Sequence, residues 1–356
     1  MTIQTLLHCR LTNHGLAQPA PQSVQAVVRR LGAVQSQEFN DAQWSVAQRV
    51  DGLTQEAFMD AFNGGHILRT HVLRPTWHLV APADIRWLLR LTAPRVRASL
   101  GTNDRRLGLD EAVYAQTNRL IEQALAAGTY LTRVDLADVL ARAGFSLTGN
   151  ALAHVMIRAE VDGLVCSGPV QGRQHTYALL DQRVPPMQPL DRDEALAELA
   201  DRYATSHGPA TAQDFSWWSG LTLTDARLGL TLANARLVSE TIDGNTYWHV
   251  PTAPPPANLP RALLLPNFDE FLVGYADRTP LLEPTYEGPL RTPGHLLAEK
   301  TIVIDGQIVG TWRPAKAKKG YPVTWRPLRA LRATEEALIE QAIQRYTAFY
   351  APLIAP

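Results

Sequence analysis

Two amide side chains separated by one residue, Gln35 and Gln37 in Gln35-Ser36-Gln37, are the groups in this chain best equipped for chemistry. On an extended backbone, positions i and i+2 project to the same side, whereas on a helix they diverge. If the backbone is extended there, the two amides can grip one water molecule between them. Further along comes a basic, aromatic stretch, Leu68-Arg69-Thr70-His71-Val72-Leu73-Arg74-Pro75-Thr76-Trp77-His78-Leu79-Val80. Its Arg69, His71, Arg74 and His78 are candidates for holding a phosphate backbone nearby. The plainer reading treats Gln-Ser-Gln as a solvated connector and the histidines as packing or hydrogen-bonding groups.

These residues need elements to position them, and the pattern is clearest in the middle of the chain. Asp110 to Ala126 has helical apolar spacing and ends before Gly128. Thr132 with Asp135 is a capping-box variant that opens a second helix running to Ala143. A third helix spans about Thr148 to Val161, followed by strands at Leu164 to Ser167 and His175 to Leu180. Three helices and a hairpin are the order of a winged helix. The order repeats after Pro185-Pro186-Met187-Gln188-Pro189, with helices at Arg192–Thr205, Thr211–Trp218 and Thr222–Ala233. The strands Leu237–Ile242 and Tyr247–Val250 follow, joined at Asp243-Gly244-Asn245. A degenerate copy at the N-terminus has helices at Ser23–Leu31 and Thr54–Phe62 and a hairpin from Ile67 to Val80.

Beyond Pro251 to Pro256 the pattern changes to strands at Ala262–Leu265, Glu299–Ile304, Gln307–Trp312 and Pro322–Trp325, then a helix from Thr334 to Tyr350. The expected fold class is therefore α+β: three tandem winged-helix units, then a small antiparallel β domain with a C-terminal helix. The expected boundaries are 1–107 for the unit carrying the glutamine pair, 108–184 and 190–250 for the next two, and 257–356 for the β domain.

With 34 basic and 34 acidic residues the net charge is zero, but the charges are unevenly spread. Residues 1–110 carry 12 Arg against 8 acids, and residues 111–260 carry 10 Arg against 16 acids. Thr311 to Arg332 holds Arg313, Lys316, Lys318, Lys319, Arg326, Arg329 and Arg332 with no acid. Such a patch suits a nucleic-acid backbone, and Lys316-Ala317-Lys318-Lys319-Gly320 reads as a hairpin tip able to enter a groove. The candidate recognition helices are not basic: one carries Arg158 with Glu160 and Asp162, the other Asp225, Arg227 and Arg236. Groove reading by those helices is thus disfavoured. There is no signal pattern, no apolar run of membrane length, and Cys9 and Cys166 stand in no ligand motif. The expectation is a cytoplasmic protein with free thiols, no membrane association and no cofactor, since HExxH, CxxC and GxxxxGK are absent.

Four blocks in order carry a family resemblance: Leu31-Gly32-Ala33-Val34-Gln35-Ser36-Gln37, the Arg69 to Val80 stretch, Leu264-Leu265-Pro266-Asn267-Phe268-Asp269 with Gly274-Tyr275-Ala276-Asp277-Arg278, and Ile304 to Arg313. On these blocks the whole chain resembles the winged-helix DNA glycosylases of the AlkZ and YcaQ type. The resemblance implies a C-shaped protein embracing duplex DNA, with a catalytic Gln–aliphatic–Gln motif. Gln35 and Gln37 match its two catalytic positions, while Ser36 departs from the usual aliphatic residue. It further implies a monofunctional DNA glycosylase, acting as a monomer on N-alkylated purines in double-stranded DNA, with crosslink unhooking also within its range. The competing reading is a non-catalytic winged-helix DNA-binding protein or transcriptional regulator.

Overall fold

The computed structural model describes residues 1–18, 22–242, 244–251, 261–292, 294–315 and 321–351. Among the described residues the helices are interspersed with four small sheets, and the strand pairings described below are antiparallel. The chain forms two compact units. One comprises Met1–Met59, Leu196–Trp218 and Thr222–Pro356; the other comprises Asp60–Ala195 and Ser219–Leu221.

The first unit is organised on a four-stranded meander, Ala262–Leu265, Thr301–Ile304, Gln307–Pro314 and Val323–Pro327, in that spatial order. Alternate side chains leave opposite faces of a strand, so each face has its own core. Leu263, Leu265, Val303 and Ile308 meet Leu6, Leu7 and Leu11 of the helix Ile3–Asn13. Leu264, Ile302, Val309 and Trp312 meet Trp44 and the residues Ile339, Tyr346 and Phe349 of the helix Ala333–Tyr350. The turn Asp305-Gly306 closes the central hairpin with positive φ at both residues (51° and 82°), the geometry of a two-residue hairpin loop. A Cβ on Gly306 would stand 2.6 Å from Leu7 Cβ, so the first helix can lie over this turn only because the residue is glycine.

Also in this unit, Ser23 caps the helix Val24–Leu31 by accepting from Ala26 N–H, and Val24, Val27, Val28 and Leu31 form its buried face. A short strand, Val34–Gln35, and the helix Phe39–Ala47 follow. Near the middle of the chain the helices Arg192–His207, Ala212–Ser219 and Leu223–Leu232 precede the paired strands Val238–Ile242 and Asn245–His249. The pair Ala210–Thr211 joins that sheet beside Asn245–His249.

The second unit opens with the hairpin Leu68–His71 and Trp77–Val80, in which Arg69 faces Leu79 and His71 faces Trp77. The long helix Pro82–Arg106 comes next, then helices Glu111–Leu125, Arg133–Arg142 and Gly149–Val161. The capping box at Thr132 is complete, since Asp135 N–H donates to the hydroxyl and Thr132 N–H donates to the Asp135 carboxylate. Thr176–Leu179 is the central strand between Leu131–Thr132 and Val165–Ser167.

Among the described residues, the one-turn helices Leu180–Arg183, Glu270–Val273 and His295–Ala298 and three longer ones, Ile3–Asn13, Phe39–Ala47 and Pro82–Arg106, are not foreshadowed by the sequence pattern. The last buries side chains such as Ile85, Leu88 and Val96 in its first part only, and carries Pro94 within it, which blurs the helical period. Lys316, Lys318 and Lys319, expected at a basic hairpin tip, lie outside the described residues.

Candidate functional site

Gln35 ends the strand Val34–Gln35, and Gln37 sits at the bend leading into the helix Phe39–Ala47. Gly32, at φ 81° and with its Cβ position 3.4 Å from the Trp218 ring, turns the chain out of the preceding helix. Ala33, Val34 and Ser36 are fully buried, Gln35 is buried and Gln37 is exposed. The motif is thus a strand end rooted in the core, with its second amide at the surface. The departure from an aliphatic middle residue falls at a wholly enclosed position.

Beneath Gln35 lies a carboxylate that the sequence pattern does not single out. Glu270 is completely buried, and its Oε1 accepts the Gln35 backbone N–H at 2.6 Å. The Trp218 indole N–H donates to Glu270 Oε2 at 2.8 Å, and His207 Nε2 stands 3.6 Å from the same oxygen. Glu270 opens a one-turn helix, Glu270–Val273, capped by Asp269, whose carboxylate accepts Phe271 N–H at 2.9 Å. Asp269 is gripped in turn by both terminal nitrogens of Arg49, each at 2.9 Å, and accepts from Ser45 Oγ at 2.7 Å. Burial alone would raise the Asp269 pKa. The Arg49 guanidinium, with the hydrogen bonds from Ser45 and Phe271, brings it below the ordinary carboxylate value instead.

The two histidines behind this layer are held neutral. Burial lowers the His207 pKa despite the opposing pull of Glu270, with Arg49 and Arg10 adding to the lowering. His14 lies well below the ordinary value through burial, His207 and the nearby arginines. The two rings meet edge to face at 4.5 Å, and the Tyr275 hydroxyl donates to the His207 carbonyl at 2.7 Å. Such a wall of neutral rings supplies shape and no general acid at neutral pH. Among the described residues no group of three or more His, Cys, Asp or Glu side chains is arranged to hold a metal ion.

The basic stretch of the second unit forms the hairpin Leu68–His71 and Trp77–Val80, with most of its candidate side chains enclosed. His71 and His78 are buried, and His78 lies well below the ordinary pKa through burial and the nearby Arg74, with Nδ1 paired to the Thr76 carbonyl. His71 Nδ1 pairs with Glu160, which also accepts the His71 backbone N–H at 2.8 Å and the Trp77 indole N–H at 3.3 Å. Arg69 is largely enclosed, its guanidinium 4.2 Å above the Trp77 ring. All three side chains are thus mostly enclosed, with Arg69 lining a cavity shared with Trp77, Arg133 and Tyr177. Arg74 is half-buried. Arg158 is tied to Glu111 and Asp162, which cancels its charge in the candidate recognition helix. Arg313 and Arg326 are exposed on neighbouring strands of the meander, diagonal across the register that pairs Arg313 with Thr324 and Thr311 with Arg326. Arg313 also lies 3.3 Å from Glu299.

Trp217 is 44% exposed, with the Arg278 guanidinium 5.0 Å over its ring, while its neighbour Trp218 is fully buried. The long-range partners Glu270 and Glu160 had only one signal in the sequence: an acid beside an apolar run, at a position where a solvated charge would be out of place.

The family described as DNA glycosylase AlkZ-like matches residues 28–349, and the chain belongs to that family of DNA glycosylases. An interstrand DNA cross-link repair glycosylase from Streptomyces sahachiroi is 24% identical over 320 residues, covering 82% of each chain. The solved structure of the Streptomyces sahachiroi DNA glycosylase AlkZ superimposes with a TM-score of 0.78 at 21% identity, over 98% of this chain and 96% of that one. The fold is thus shared from end to end.

Proposed function

We propose that this chain is a monofunctional DNA glycosylase that hydrolyses the N-glycosidic bond of N-alkylated purines in duplex DNA, with Gln35 and Gln37 holding the attacking water. The observation that carries this reading is the rooted strand end: Gln35 buried with its backbone N–H braced by Glu270, and Gln37 at the surface two residues on. A purine alkylated at a ring nitrogen is cationic, so the C1′–N bond breaks with its electron pair leaving on an already activated base. No strong acid is needed at the departing base. The water oxygen then bonds to C1′ of the oxocarbenium-like sugar, and the resulting oxonium sheds its proton to solvent. A neutral amide contributes orientation to this step rather than proton abstraction, which restricts the enzyme to activated bases.

In this reading three winged-helix units, 1–107, 108–184 and 190–250, precede a β domain at 257–356. The repeated order of helices and hairpins supports that division. Arg74, Arg313, Arg326, Lys316, Lys318 and Lys319 would contact phosphates, and the protein would act as a cytoplasmic monomer without a cofactor. The activity named for the Streptomyces relative supports extending the substrates to interstrand crosslinks. Incubation with duplex containing N7-methylguanine, followed by alkaline cleavage, should produce strand breaks at the lesion. Binding without base release across small and bulky adducts would overturn the proposal in favour of a non-catalytic DNA-binding protein.

A further inference from the structure

We infer that Glu270 is a positioning residue for base release, acting through the Gln35 peptide. The inference rests on the reading of Gln35 and Gln37 as the water-holding pair. The Gln35 N–H is buried, and a backbone carbonyl would satisfy it at little cost. A fully enclosed carboxylate takes that place, and burying a charge is expensive unless its hydrogen bonds are well made. The return is geometric: a charge-assisted hydrogen bond is shorter and more directional than a neutral one, and 2.6 Å is just below the usual N–H···O range.

The carboxylate is itself held at its other end. Trp218 Nε1 occupies Oε2 at 2.8 Å, which fixes the plane of the group. Asp269, one residue earlier, is clamped by Arg49 and Ser45, so the backbone bearing Glu270 has little freedom. The line Arg49–Asp269–Glu270–Gln35 therefore sets the orientation of the last peptide of the strand. That orientation governs where the Gln35 side chain leaves the backbone and where the bend to Gln37 begins. A step that depends on orienting water is sensitive to such placement.

Substitution by glutamine separates this role from simple packing. The side chain of E270Q fills the same space but offers one acceptor and one amide donor, so it cannot serve the Gln35 and Trp218 N–H groups together. W218F removes the second donor, and E270Q/W218F again has an acceptor for Gln35 with no donor opposed to its amide. Single-turnover release of N7-methylguanine, with enzyme in excess, should fall about 10–100-fold in E270Q. Duplex affinity should stay within about twofold, because Glu270 is enclosed and meets no phosphate. Relative to W218F alone, adding E270Q should cost no more than about threefold, a rescue that general destabilisation would not give. Hydrogen–deuterium exchange of the peptide spanning residues 34–38 should accelerate in E270Q and slow again in the double variant. A wild-type release rate in E270Q, with Q35A and Q37A slowed, would overturn this inference alone. So would a loss from E270Q as large in the W218F background as in the wild type. Unchanged rates in Q35A and Q37A would overturn the glutamine pair, and this role with it.

Discussion

Replacing Arg49 with Met leaves the Asp269 carboxylate fully buried without its countercharge. Arg49 and Asp269 are essentially inaccessible to solvent, and the guanidinium also donates to the His14 carbonyl at 3.0 Å and the Ser45 carbonyl at 2.7 Å. Removing one partner of such a buried pair costs about 3–5 kcal/mol, most of it the penalty on the charge left behind. For a unit of roughly 200 residues this amounts to a fall in melting temperature of about 6–20 °C. Adding D269N removes the stranded charge, so R49M/D269N should be more stable than the sum of the single changes by about 1–3 kcal/mol. The acid dependence follows from the same pair. The Asp269 pKa in the folded protein is lowered below its ordinary value, so its contribution is complete above about pH 4 and fades as pH falls through the folded value. The melting-temperature gap between wild type and D269N should accordingly be widest near neutrality and shrink below about pH 4. Calorimetry of the four variants over a pH series checks both points. A change under about 2 °C in R49M, or strict additivity in the double variant, would refute the reasoning.

Three further outcomes are expected. Q35A should lose about 1 kcal/mol of stability while exposed Q37A stays within about 0.5 kcal/mol, as measured by denaturant titration, even though each slows base release on the order of 10²-fold. Replacing Lys316, Lys318 and Lys319 with Ala should weaken binding to all duplex sequences alike and flatten the logarithmic salt dependence by about one per lysine. An unchanged slope from fluorescence anisotropy would remove these lysines from the interface. Burial holds the Cys166 thiol up at about 12, so iodoacetamide should label it roughly a thousandfold more slowly in native protein than after unfolding, as followed by mass spectrometry.

Local signals in the sequence carried a good part of the architecture. The Thr132 and Asp135 cap, the Asp305-Gly306 turn and the helix ending before Gly163 are each made by residues within a few positions of one another, and each lies where the pattern puts it. What escaped is what depends on distant partners. Gln35 reads as a polar loop residue until Glu270 and Trp218 are brought around it. Asp269, Tyr275 and Arg278 are near neighbours in sequence, yet Asp269 pairs with Arg49, Tyr275 with the His207 carbonyl and Arg278 with the Leu272 carbonyl. His71 and His78 alternate with apolar residues on a strand, a pattern that fits a wet face or a dry one, and only packing decides for the dry.

The unit bearing Gln35 is assembled from both ends of the chain, with the second unit inserted between its parts. On the ribosome, Gln35 is made 235 residues before the carboxylate that receives its N–H. At the usual elongation rate of about 5–20 residues per second, that is an interval of roughly 12–50 seconds. Throughout it, Leu6, Leu7, Leu11 and Trp44 have no sheet to cover, because the strands they pack on begin at Ala262. Nascent chains should therefore present this segment to chaperones, and a message truncated before the final third should yield the two glutamines without the support that aims them.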